Sequence, residues 1–208
     1  MIMLMVISGC SKEVPSDQLQ NRNGVIYEVN SQTGFTGSSV EYYENGQLKK
    51  KQNYKDGKRD GPYGYYFENG QLKVKLNYKD GKTDGPYETY YENGQLEYKW
   101  NYKDGEKDGL TEEYYENGQL KKRINYKDGK IKVGIWQYYY KNGQLEWKGS
   151  YKDGKIDGLT EEYFENGQLN YKRNYKDGKL DGLFEAYSKN GQLNFKINYK
   201  DGKKVGDN

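Results

Sequence analysis

The 208-residue chain contains no histidine and a single cysteine, and only 33% of its residues are hydrophobic. Without imidazole there is no histidine base, no Ser-His pair and no histidine-ligated metal. The lone Cys10 rules out an internal disulfide. The shortage of aliphatic residues argues against a conventional two-layer core. No apolar stretch approaches the roughly 20 residues that a membrane-spanning helix needs. Charge is plentiful but balanced, with 34 Lys and Arg against 31 Asp and Glu interleaved to a net +3. Short basic runs, Lys49 to Lys51 and Lys121 to Arg123, sit beside tyrosines, the mixture found in single-strand nucleic-acid binders. Glutamates nearby cancel that field, so the expectation is a charge-paired strand face and no nucleic-acid partner.

What is abundant is tyrosine, 25 in all. Aromatic rings can supply burial on a sheet where aliphatic side chains are scarce, each offering about 150–250 Å². A composition 16% aromatic also argues against disorder. The tyrosines recur with a period. Asn-Gly-Gln-Leu begins at Asn45, Asn69, Asn93, Asn117, Asn142, Asn166 and Asn190, at spacings of 24, 24, 24, 25, 24 and 24. Between these lies Tyr-Lys-Asp-Gly, with its Asp at 56, 80, 104, 128, 153, 177 and 201. Asn-Gly and Asp-Gly favour two-residue type I′ turns, which join antiparallel strands. Each repeat therefore predicts a hairpin with a turn at both ends, and the chain an all-β, elongated, single-layer antiparallel meander of tandem 24-residue hairpins.

Two-residue turns fix the register. About Asn93-Gly94, Tyr91 faces Leu96, Thr89 faces Tyr98 and Tyr87 faces Trp100 on one side; Tyr90 faces Glu97 and Glu88 faces Lys99 on the other. In the preceding repeat Phe67 meets Leu72, Tyr65 meets Val74 and Tyr63 meets Leu76. Across Asp104-Gly105, Tyr98 meets Thr111 and Leu96 meets Glu113. One face is aromatic and the other is charge-paired. The spacing of 25 puts Trp136, Tyr138 and Tyr140 out of parity with Leu120 and Ile124, which a β-bulge near Val133-Gly134, with a local kink, would repair. Trp136, Tyr138 and Trp147 cluster beside it, and with Tyr98 and Trp100 they are the candidate binding residues.

The ends differ from the array. Residues 1–9, MIMLMVISG, form an apolar run before Cys10, and Ile7-Ser8-Gly9-Cys10 resembles a bacterial lipobox. That resemblance implies cleavage before Cys10, lipid attachment to its sulfur, and a membrane-anchored lipoprotein of the bacterial envelope that touches the membrane through this lipid alone. Residues 10–20 read as a polar tether, 21–44 as a divergent first repeat opened by Asn23-Gly24, and 45–208 as the tandem repeats. Catalysis is not expected. The doublets Glu112-Glu113 and Glu161-Glu162 are successive strand residues that point to opposite faces, so neither forms an acid-base pair. The Asp-Gly turns lack the clustered oxygens that calcium requires, so neither a metal nor a cofactor is expected.

The unit GxYxxYYENGQLxxxxNYKDGKxDG, seen from Gly61 to Gly109, resembles the MORN-repeat variant. Its arrangement along the chain is similar to that of the YwqK-type bacterial antitoxins. This resemblance implies a β-meander and, for some members, protection against a toxin. It leads to the expectation of a non-catalytic, protein-binding scaffold at the cell envelope whose partner is a toxin. Two other readings stand beside it: a wall- or glycan-binding module built on aromatic hairpins, and a structural spacer.

Overall fold

The structure, a computed structural model, describes residues 12–126 and 134–206. Cys10, expected to carry a lipid, and Val133, where a bulge is expected, fall outside the described residues. Among these residues the chain is all-β, with one three-residue 3-10 turn at Ser16–Gln18 and no α-helix. It divides into two compact units, Met1–Gly85 and Pro86–Asn208.

In the first unit, strands Gly37–Tyr42, Leu48–Lys55, Lys58–Tyr66 and Leu72–Lys79 form a meander in which each pairs antiparallel with the next. Its starting edge is covered. Glu13–Pro15 lies parallel to Gly37–Tyr42, with Val14 opposite Ser39. The segment read as a tether therefore contributes an edge strand, and Val14 is buried there with Phe35 and Val40. A short hairpin, Leu19–Arg22 with Val25–Glu28, turns at Asn23-Gly24. It docks on the Asp56-Gly57 turn, where Ile26 donates its N–H to the Gly57 carbonyl (2.8 Å) and Gly57 donates to Phe35 (2.8 Å). Any side chain at Gly57 would meet Val25 Cγ1 and the Ile26 backbone, so this close approach demands glycine.

In the second unit the meander runs through Leu96–Lys103, Gly109–Tyr114, Leu120–Tyr126, Gly134–Tyr139, Leu145–Lys152, Lys155–Tyr163, Leu169–Lys176, Lys179–Tyr187 and Leu193–Lys200. The body of each hairpin keeps the register set by hydrophobic alternation. Tyr63 faces Leu76 and Tyr65 faces Val74, Thr111 faces Ile124, and the Tyr87 and Trp100 rings stack at 4.5 Å. The second face carries the expected charge ladder: Glu88 with Lys99 (3.5 Å), Glu112 with Arg123 (2.7 Å), and Glu161 with Lys148. Tyr138 lies opposite Lys122, so Trp136 and Tyr138 share the face of Ile124.

The turns depart from the sequence reading in part: the described Asp-Gly ends and the Asn23-Gly24 turn of the opening hairpin are type I′, but the Asn-Gly-Gln-Leu ends are not. Asp153 and Gly154 both take positive φ, 49° and 78°. At the Asn-Gly-Gln-Leu ends the asparagine keeps a negative φ and only the glycine is left-handed, Gly118 at 82°. Gly118 donates its N–H to the Tyr115 carbonyl, and Tyr115 donates to Gln119, each at 2.8 Å. This is a three-residue loop, a type I turn followed by a left-handed glycine. The cause is the asparagine side chain, whose Oδ1 accepts the N–H two residues on, Asn117 from Gln119 at 3.0 Å. The added loop residue is offset by a bulge one step inside, where Glu113 faces Lys122 but Tyr114 faces Leu120. Consequently Phe67 does not face Leu72, which lies opposite Tyr66. Glu97, a bulge residue, reaches Thr89 on the aromatic face (3.1 Å) and not the polar side.

A second bulge follows the Asp-Gly turns at Asp56, Asp104, Asp153 and Asp177. Tyr102 faces Lys107, yet Tyr98 faces Glu113, not Thr111 as the sequence suggested. Two extra residues are taken up beside Gly109, whose φ of 91° accommodates them. Two residues are one full pleat period, so the face is preserved while the pairing shifts.

Neighbouring repeats are tied through these same residues. Asn117 Nδ2 donates to the Lys141 carbonyl (3.0 Å) and Tyr115 Oη to the Tyr139 carbonyl (2.9 Å). Asn142 and Tyr140 do the same one repeat on. At the other end the Asp177 N–H donates to Asp157 Oδ2 (3.0 Å). The residues that make the sequence periodic are the ones that make the repeats adhere, each bond contributing about 1 kcal/mol.

Candidate functional site

With the periodic residues spent on the scaffold, the aromatic face is where repeats differ. Two register positions dominate it in the second unit. The residue two past each bulge glycine is Tyr87, Thr111, Trp136, Thr160 and Phe184 in turn, and the residue two past each turn leucine is Tyr98, Lys122, Trp147, Tyr171 and Phe195. The fourth repeat is the only one of these five without a ring at either position.

The consequence is a valley between two aromatic walls. On one side Tyr98 meets Trp100 edge-on (5.8 Å), and Trp100 stacks on Tyr87. On the other, Tyr138 meets Trp147 (5.7 Å), Trp147 approaches Tyr151 (6.3 Å), and Tyr151 stacks on Trp136 (4.2 Å). The structure thus gathers the three fifth-repeat candidates into one row and places Tyr98 and Trp100 in a separate cluster. Against the first cluster lies a cavity of about 240 Å³ lined by Tyr98, Trp100, Lys107, Thr111, Glu113, Lys122, Ile124 and Tyr126, and Lys122 alone of these reaches towards the Trp136 and Tyr138 rings. Ile124 is buried and forms part of its lining.

Two ammonium groups mark the valley. Lys107 Nζ lies 4.2 Å from the Trp100 ring centre and 5.7 Å from that of Tyr126. The corresponding residues are Ile156 and Leu180 in the sixth and seventh repeats and Arg59 in the second, and burial holds the Lys107 pKa below the usual lysine value. Lys122 Nζ lies 5.4 Å from Tyr138 and 5.7 Å from Trp136. Neither lysine is ion-paired among the described residues. The one carboxylate present, Glu113, is bound by Lys121 and by the Tyr98 hydroxyl (3.3 Å). Burial, with the Glu113 charge second, pushes the Tyr98 phenol up. Trp100 Nε1 and Thr111 Oγ1 are buried with no hydrogen-bond partner among the described residues, a condition that native interiors seldom leave unanswered.

Among the described residues, no group of three or more His, Cys, Asp or Glu is arranged to hold a metal ion. Sequence reasoning found both aromatic walls but missed Lys107, Thr111, Lys122 and Tyr151. The signal for the first three was in the alignment of repeat against repeat: each stands where other repeats carry a ring or an aliphatic side chain.

The MORN repeat variant pattern matches seven segments, residues 35–56, 59–80, 83–104, 107–128, 132–155, 156–177 and 180–201, well over half the chain. The chain belongs to the MORN repeat variant family. No curated protein matches it. The family's repeats are phased from one Asp-Gly turn to the next, so the first takes in Phe35 to Glu44 from the divergent opening segment. Family membership accounts for the scaffold; the valley comes from residues that vary among the repeats of this MORN repeat variant.

Proposed function

We propose that this MORN repeat variant is a non-catalytic scaffold that binds a protein partner at the bacterial cell envelope, held there by a lipid on Cys10, and that its partner is a toxin. The observation that carries the binding reading is the division of labour within each repeat. Periodic Asn, Gly, Tyr and Asp residues are consumed by turns and repeat-to-repeat bonds. The non-periodic Trp100, Thr111, Lys122, Trp136 and Trp147 gather on one face in the third to fifth repeats. Aromatic residues flanking a pocket are the usual energetic centre of a protein interface. The envelope and toxin parts rest on the lipobox and on the resemblance to YwqK-type antitoxins.

The test is capture from envelope extract with the full chain as bait. One protein retained in a stoichiometric ratio, and able to inhibit growth when expressed alone, supports the reading. Retention of wall fragments alone, or of nothing, sinks it. Fractionation of cells carrying Cys10→Ser tests the anchor: the variant should move from the membrane fraction to the soluble one, and an unchanged distribution would remove the lipid from the account.

A further inference from the structure

We propose that the fourth-repeat valley receives a carboxylate-bearing, partly apolar segment of a protein partner, with Lys107 and Lys122 as the groups that select its charge. The inference rests on the protein-binding reading and specifies the chemistry of its contact.

Three observations lead to it. First, the charges near the valley are unbalanced in one direction. On the opposite face most lysines that the hairpins set against a glutamate find one, as Lys99 finds Glu88, Lys148 finds Glu161 and Lys50 finds Glu41, although among the described residues Lys172 does not. In the valley Lys107 and Lys122 rest on rings, while Glu113 is already occupied by Lys121. A partly desolvated cation held only by a ring gains more from a carboxylate than from another neutral group. Second, both Trp100 and Trp136 are covered. Tyr87 stacks on Trp100 at 4.5 Å with Lys107 at 4.2 Å, and Tyr151 stacks on Trp136 at 4.2 Å with Lys122 at 5.7 Å. A sugar-binding platform needs an open ring face, so this arrangement disfavours a glycan. Third, among the described residues the indole N–H of Trp100 and the hydroxyl of Thr111 lack partners. A ligand oxygen that draws Lys107 off the Trp100 ring is the kind of acceptor that would satisfy them.

The size fits a side chain or two and not a folded domain, since the cavity is about 240 Å³. Ile124 and Tyr126 provide apolar contact beside the ammonium groups. An acidic residue adjacent to an aromatic or leucine, on an exposed loop of the partner, matches both.

The experiment titrates the full chain with a synthetic 12-residue peptide alternating Asp or Glu with Phe or Leu. Its Asn/Gln counterpart, its Lys counterpart and a tetramer of N-acetylglucosamine are titrated in parallel. Binding is read from the three tryptophans, all of which lie in the walls. The acidic peptide should bind at least tenfold more tightly than the neutral one, and Lys107→Ile and Lys122→Gln should each weaken it about tenfold or more. Lys107→Ile installs the residue found in the sixth repeat and should fold. Acidic and neutral peptides binding alike, or acidic binding indifferent to both lysine variants, overturns the valley assignment and leaves the protein-binding reading in place. Saturation by the sugar tetramer with no response to any peptide overturns both.

Discussion

The fourth and sixth repeats carry threonine at the same register position, Thr111 and Thr160, and only one of them opens a valley. Thr160 is buried to 2% exposure. It faces Gly149 across the strand pair, and the absence of a side chain there lets the six-membered ring of Trp147 fold over the gap. Thr111 has Tyr98 and Trp100 on the preceding strand, but on the following strand it faces Ile124 with Lys122 beside it, where Thr160 has Arg173 and Tyr171, so no ring covers it from that side. A small residue therefore makes a cavity only when the adjoining strand declines to fill it. The functional variation in this array lies in combinations across strands, not in any one repeat read along the chain.

That contrast can be broken most sharply at Trp147. Trp147→Ala should uncover Thr160 and create a second valley, at a cost of about 2–3 kcal/mol, below the usual value for a fully buried tryptophan because this one is half-exposed. Urea unfolding measures it, and an unchanged midpoint would mean that Trp147 does not close the sixth repeat. Gly149→Ala approaches the same point from beneath. A Cβ there would lie 2.5 Å from Trp147 Cη2 and 2.9 Å from Thr160 Cγ2, so the indole must lift, at about 1–2 kcal/mol and with a shift in tryptophan emission.

The scaffold should not distinguish the two repeats at all. Asn117 and Asn166 donate to the carbonyls of Lys141 and Lys189, both at 3.0 Å. Replacing either with Asp removes the donor, and the two variants should each lose about 1 kcal/mol and agree within about 0.5 kcal/mol. The smallest effect is one of pH. Burial, with the Glu112 carboxylate second, pushes Tyr114 up to about 12, and Tyr163 in the sixth repeat is raised by burial and Glu161 in the same way. A folded pKa above the unfolded value of 10.0 gives stability that is complete below pH 10 and lost as pH rises through about 12. Thermal melts across that window should fall, and Tyr114→Phe should flatten the fall.

The meander, its two faces and the charge ladder were legible in the sequence because side-chain alternation has a period of two and tolerates no slip of one. The turn types were not. Asn-Gly and Asp-Gly look interchangeable as dipeptides, but Asn117 can accept from Gln119 and donate to Lys141 together, which Asp cannot, and this holds it at negative φ. The paired bulges escaped notice for a related reason: each loop residue added at the tip is offset one step inside, so parity along the strand carries no trace of either. The aromatic walls were visible as Trp and Tyr in the third and fifth repeats. The valley between them was not, since it is defined by what Thr111 and Lys122 lack, and the parallel strand at Glu13–Pro15 lies in a segment too polar to announce pairing.

Thr111→Phe is the most direct test of the claim that missing rings in the fourth repeat make the binding site, because it installs at that position the residue the seventh repeat carries as Phe184. Melting temperature and affinity for the acidic peptide would be measured on the same preparation. The account predicts a melting temperature unchanged or higher and an affinity reduced at least tenfold as the ring fills the valley. Full affinity in a stably folded variant would contradict it.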